Sequence, residues 1–340
     1  MLAFLRLTTL VLTALGLLLA ADATKKRTPS DSSCKTNAEC IRAGQPLLRP
    51  RVRFADTILH ERRQNTGQAF VPVQTSSCGT AQEVFLPTGT YQVQLNGAAG
   101  GGDGSGIYKN RGGLGATSPA EFFVSRNITI GYFVGCAGRQ NAGSGGGGGS
   151  FVYYLGPEQA YIMIAGGGGG AGYNPNSPGA DAGFYEGQAT VPPGQSGYGA
   201  QGGRGGLAGG VKGGAGGGGF VSAGGNVGTT AYGGSQSINY GGTFAGGVWN
   251  SQYVSNQASG GAGGGGSGAG FAGGTGGGGG GGYSGGQGGI ATSYERGGEG
   301  GGGGGSNVQI NPYEGAIKVS SDLRNPASAG MGSLTIIKVA

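Results

Sequence analysis

The side chains best suited to chemistry in this sequence are few and far apart. Cysteines stand at Cys34, Cys40, Cys78 and Cys136, with no spacing that suits zinc. In an exported chain an even count points to two disulfides, and three pairings are open. The expected pairing is Cys34–Cys40 as a small local loop and Cys78–Cys136 as a staple of the core, since the latter two flank strand-forming sequence. Asn127-Ile128-Thr129 is the only N-glycosylation sequon. Asn127 is expected to carry a glycan in a eukaryotic secretory pathway; the alternative is an unmodified residue opening a strand.

Catalysis finds little to work with. The one histidine, His60, lies in a basic N-terminal stretch, and the 15 acidic residues include no pair that invites acid–base work. Gly-x-Gly-x-x-Gly patterns recur, but none follows a strand and opens a helix as dinucleotide binding requires, and no phosphate loop ends in Gly-Lys-Ser/Thr. Arg111, Arg204 and Arg296 each precede Gly-Gly. Triplets so widely spaced are not the tract found in RNA-binding segments. The expectation is a non-enzymatic protein with no cofactor, no metal and no nucleic-acid partner.

The elements that would position these residues begin with a secretory signal over 1–23. Arg6 supplies the charge, Leu7 to Leu19 the apolar core, and Ala21-Asp22-Ala23 a cleavage site before Thr24. That apolar run is too short to span a membrane, and none later is long enough. The mature chain is therefore expected to be extracellular.

Residues 24–77 form a basic arm. Ten Lys/Arg against four Asp/Glu between Lys25 and Arg63 leave +6, whereas 64–340 balances ten against ten. Such an arm could dock on an anionic surface or stay solvated. Lys26-Arg27 and Arg62-Arg63 also allow its removal as a pro-segment.

From Cys78 onward short strands alternate with turns. Glu83–Leu86, the turn Pro87-Thr88-Gly89, and Thr90–Leu95 with Tyr91, Val93 and Leu95 on one face come first. Glu121–Val124, Asn127–Val134, Ser150–Leu155, Tyr161–Ala165, Ala316–Val319 and Ser333–Val339 follow. About eight short strands without helical periodicity suit an all-β sandwich or jelly roll. The sandwich is assigned to 78–172 and 306–340, with an insertion over 173–305.

Glycine dominates that insertion and its approach: 62 of the 141 residues from Ala165 to Gly305 are glycine. A flexible linker is one reading. Against it stand recurrent aromatics (Tyr173, Phe184, Tyr198, Phe220, Tyr232, Tyr240, Trp249, Phe271 and Tyr283 among them) and scarce charge. Collagen is excluded, because glycine does not fall at every third residue and proline is sparse. The ordered option is a bundle of threefold, polyproline-II-like glycine helices. Side by side, without Cβ atoms, these can bond their N–H and C=O groups to neighbours.

The series Gly89-Thr-Tyr-Gln-Val-Gln-Leu-Asn-Gly-Ala-Ala-Gly-Gly-Gly102, Asn127-Ile-Thr-Ile-Gly-Tyr-Phe-Val-Gly135, Gly145–Gly149 before Ser150-Phe-Val-Tyr-Tyr154, and Ala160-Tyr-Ile-Met-Ile-Ala-Gly-Gly-Gly-Gly-Gly170 is distinctive. Gly276–Gly286 and Gly332-Ser-Leu-Thr-Ile-Ile337 complete it. Over about 78–340 it resembles the extracellular glycine-rich domain of the anaplastic lymphoma kinase and leukocyte tyrosine kinase receptors. That resemblance implies a tumour-necrosis-factor-like jelly-roll sandwich carrying a polyglycine-II helix bundle. No transmembrane helix or kinase region follows here, so receptor signalling does not carry over, and no ligand-contact residue can be matched. The architecture is also similar to tip adhesins of some bacteriophages. Two functions follow as expectations: an extracellular recognition module for a protein or glycan, or a structural component of a matrix, wall or coat.

Overall fold

The strand-forming sequence builds two antiparallel sheets. A computed structural model describes residues 70–104, 106, 109–140, 143–155, 161–183, 204–210, 213–227, 232–235, 245–248, 258–268, 276–291, 298–309, 317–321 and 324–339. Eleven strands occur among them: β1 (Val73–Thr75), β2 (Ala81–Leu86), β3 (Gly89–Asn96), β4 (Gly115–Val124), β5 (Ile128–Phe133), β6 (Ser150–Tyr154), β7 (Tyr161–Ala165), β8 (Asn307–Val308), β9 (Ile317–Ser321), β10 (Arg324–Ser328) and β11 (Ser333–Lys338). One sheet has the order β1-β11-β3-β4-β10, with β9 also on β4, and the other β2-β5-β6-β7-β8. Among the described residues there is no helix, and so none long and apolar enough to cross a membrane.

Period-two patterning explains how the sheets face each other. In β3, Tyr91, Val93 and Leu95 are buried while Gln92 and Gln94 are exposed. The inner row meets Phe122 and Ala120 across β4, and Ile336 and Leu334 across β11. These side chains join Leu86, Ile128, Ile130, Tyr132, Val152, Ile162 and Met163 of the other sheet in one apolar cluster, a β-sandwich arrangement. The last strand thus returns to pair with β3 across more than two hundred residues, as the sequence led us to expect. β1 lies in the stretch expected to be an arm and adds to β11 at the sheet edge.

The inner strands of the second sheet, β5 to β7, are buried on both faces. β7 reads Tyr-Ile-Met-Ile-Ala and all five residues are buried. Its other face carries Phe133, Phe151, Tyr153, Tyr161 and Ile164, against which Phe220, Ala262 and Tyr283 of the glycine-rich stretch pack. The Tyr161 ring meets Phe220 edge-on at 4.8 Å and Tyr283 at 5.4 Å. Glycine has a specific use in β5: a Cβ on Gly131 would lie 2.3 Å from the Tyr153 ring, which lies across the strand there. Burial, with Glu83 adding to it, pushes the Tyr153 hydroxyl above its usual pKa.

The disulfide Cys78–Cys136 joins the approach to β2 with the end of β5, at a Cα–Cα distance of 5.1 Å. Cys136 also bonds into the glycine-rich stretch, its N–H donating to Ala262 O at 2.8 Å and its carbonyl accepting from Gly148 N at 2.9 Å. The staple therefore sits where sheet and glycine segments meet. Cys34, Cys40, Ala23 and Thr24 lie outside the described residues.

Candidate functional site: the far end of the glycine array

The glycine runs make backbone hydrogen bonds with a period of three. Within 276–282, Gly277 and Gly280 donate to Glu299 and Gly302, Gly278 and Gly281 to Ser144 and Gly147, and Gly279 and Gly282 to Ala215 and Gly218. Donor–acceptor distances are 2.8–3.2 Å. The carbonyls follow the same rule, Gly277 and Gly280 accepting from Gly289 and Gly286, Gly278 and Gly281 from Gly170 and Gly167, and Gly279 from Gly266. Three neighbours thus run parallel and three antiparallel around one central segment. A hydrogen-bond period of three requires successive residues to point about 120° apart, which no strand does.

Six neighbours leave no space for side chains. A Cβ on Gly279 would sit 1.9 Å from Gly286 O, and one on Gly280 2.1 Å from Gly167 O. The array also extends beyond the insertion expected at 173–305. Gly100, Gly101, Gly113, Gly145–Gly149 and Gly166–Gly170 bond into it. Short glycine runs at strand ends supply neighbours that the long run cannot find within the insertion.

Direction can be read from the bonds. At one end of 276–282 lie Gly149, Gly166 and Gly305, in close approach to Gly282 or to one another. Gly149 and Gly166 flank β6 and β7 directly, and Gly305 lies two residues before β8. At the other end, Gly268 lies against Gly143, Gly172 against Gly298, and Gly300 against Pro178. Chain reversals gather there, including 172–179, and beside it Gly209 N donates to Gly214 O at 2.9 Å, with Gly210 at φ +92°.

Side chains tie these reversals together. Asn110 Nδ2 donates to Gly172 O at 3.1 Å and to Asn174 O at 2.6 Å. Ser144 Oγ donates to Gly102 O at 2.6 Å. Asp181 Oδ1 accepts from Leu114 N at 2.8 Å, and its Oδ2 lies 3.6 Å from Arg111 Nη2. Lys109, Arg111, Arg139 and Asn176 are exposed around this framework. Lys109 and Asn176 hold positive φ, 54° and 61°, conformations suited to tight turns.

Among the residues singled out from the sequence, Cys78 and Cys136 come together. Asn127 is exposed elsewhere, on the turn from β4 to β5, its Oδ1 accepting from Thr88 N at 3.0 Å. Among the described residues no group of His, Cys, Asp and Glu is arranged to hold a metal ion. Sequence reasoning missed Asn110, Ser144 and Asp181. Their one signal is position, a polar residue within two places of a glycine. No protein-family model matches the chain, and no curated protein matches it either.

Proposed function

We propose that this chain is an exported, non-enzymatic recognition module, and that its glycine segments form a polyglycine-II bundle mounted on a jelly-roll sandwich, as in the receptor domain it resembles. The period-three bonding is what such a bundle requires, since each threefold helix returns to the same neighbour every third residue. A Cys78–Cys136 disulfide fits an oxidising compartment. One observation carries the functional reading: the central run 276–282 admits no side chain and its neighbours carry mostly small ones such as Ser144 and Ala215, so larger polar and charged side chains stand at the margins and at the reversals away from the sheets. A rigid shaft with loops fixed at its tip suits binding, because little conformational freedom is lost on contact. The partner proposed is an extracellular protein or glycan.

The test uses the full chain, expressed with its own N-terminus and purified. Binding to a glycan array and to intact cells is compared with that of a variant carrying Lys109→Ala, Arg139→Ala and Asn176→Ala. The expected result is at least tenfold weaker binding at an unchanged melting temperature. Undiminished binding would move the site elsewhere. Material recovered only as an insoluble, cross-linked residue would favour the structural alternative instead.

A further inference from the structure

The outer face of the β1-β11-β3-β4-β10 sheet carries an exposed apolar strip. Phe123, Ile337 and Val339 are 47%, 45% and 48% exposed. Phe123 stands opposite Thr90, and Val339 N donates to Thr90 O at 2.9 Å. Ile337 stands opposite Gln92, the next outward residue of β3. Isolated exposed apolar side chains need no explanation, but Phe123 on β4 and Ile337 and Val339 at the end of β11 flank β3 from its two sides, about 5 Å from it on each, and form a patch around Thr90.

The sequon lies at the end of that strip. Asn127 Oδ1 accepts from both Thr88 N and Thr88 Oγ1, at 3.0 and 3.3 Å. Thr88 is exposed, two residues before Thr90, or about 7 Å along the chain. Thr88 is itself held, its carbonyl accepting from Lys338 Nζ at 3.0 Å. The carboxamide is therefore oriented through its oxygen. Its Nδ2, on the same carboxamide, is the atom that would be glycosylated.

We propose that a glycan on Asn127 occupies the strip, its first sugars lying across Phe123 and Val339. This rests on the reading of the chain as exported. Nδ2 would attack the anomeric carbon of an oligosaccharide carried on a lipid diphosphate by the secretory pathway. The N-glycosidic bond forms, the lipid diphosphate leaves, and one Nδ2 proton is lost. A sugar ring presents one face of C–H groups, which complements an aromatic face and exposed methyls. The apolar strip is then shielded by a group anchored beside Thr88, two residues from Thr90.

The experiment expresses the full chain with its own N-terminus in a eukaryotic secretory host. Wild type, Thr129→Ala (which keeps Asn127 but destroys the sequon), Phe123→Ser and the double variant are melted; wild type is also melted after glycosidase treatment. The expected result is a mass loss on glycosidase treatment, and a melting temperature lower by a few degrees without the glycan. In the Phe123→Ser background, loss of the glycan should change the melting temperature by less than about one degree, because the contact is already gone. Additive effects overturn the proposal, as does a dimer that Phe123→Ser dissociates, which would give the strip to a second copy. An exported chain whose mass glycosidase leaves unchanged overturns it too, leaving the recognition reading standing. Retention of the uncleaved chain inside the cell overturns both.

Discussion

β7 and the central glycine segment 276–282 are both buried, five residues beside seven, and they are held by different physics. Each side chain of Tyr161–Ala165 is enclosed, so the strand gains from apolar area removed from water on both faces. Segment 276–282 has no side chain to bury. Its stabilisation comes from the bonds its N–H and C=O groups make to six neighbours and from close backbone contact. The two regions therefore tolerate change differently. A sandwich core absorbs a methylene by repacking, whereas a lattice of carbonyls and amides has no soft part to yield.

The largest expected effect tests that contrast directly. Gly280→Val places branched carbon where Gly167 O already lies 2.1 Å from an ideal Cβ. We expect loss of the cooperative thermal transition, or a destabilisation above about 4 kcal/mol. Gly305→Ala is the control: its Cβ would meet the Ser284 Cβ at 3.3 Å, and a cost near 1 kcal/mol or less is expected. Similar melting of the two variants would remove the lattice as a source of stability.

Next comes the joint between the regions. The Cys78–Cys136 bridge spans a sequence separation of 58, for which chain entropy suggests about 4 kcal/mol. Cys78→Ser with Cys136→Ser should lower the denaturant midpoint accordingly. If hydrogen exchange in that variant quickens in β2 but not at Gly148 and Ala262, the staple serves the sheet alone and the two regions are uncoupled.

A smaller effect belongs to the sandwich. Tyr91 is fully buried, its hydroxyl donates to Pro87 O at 2.5 Å, and burial pushes its pKa up to about 12 from 10. The folded state thus favours the neutral phenol. The associated stability is fully present below pH 10 and is lost as pH rises from 10 through 12, by at most about 3 kcal/mol. Tyr132 and Tyr153, raised in the same direction by burial, add to the slope. Tyr91→Phe should flatten it, measured by denaturant unfolding at pH 9, 10 and 11.

The smallest expected effect is the aromatic seam. A double-mutant cycle of Tyr161→Leu and Phe220→Leu should give a coupling of about 0.5–1.5 kcal/mol. Zero coupling would mean that the glycine segments contact the sheet without being stabilised by it.

Much of the sandwich was legible because side-chain alternation is local. Tyr91, Val93 and Leu95 declare an inner face within six residues, and two cysteines beside strands suggest their own partner. A glycine run declares only that close approach is allowed. Gly276–Gly282 has no side chain to mark which neighbour each residue meets, so 299–302, 144–147 and 215–218 could not be read as its partners. Nor could Asn110 or Asp181 be known to clasp reversals separated from them by tens of residues. Local pattern was enough for eight of the eleven strands, for inward faces such as that of β3 and for the need for backbone packing where glycine is dense; β1, β8 and β10 carried no such signal. Which segments become neighbours was decided only by tertiary structure, because hydrogen bonds between identical, featureless backbones carry no address until the sheets fix where each run begins.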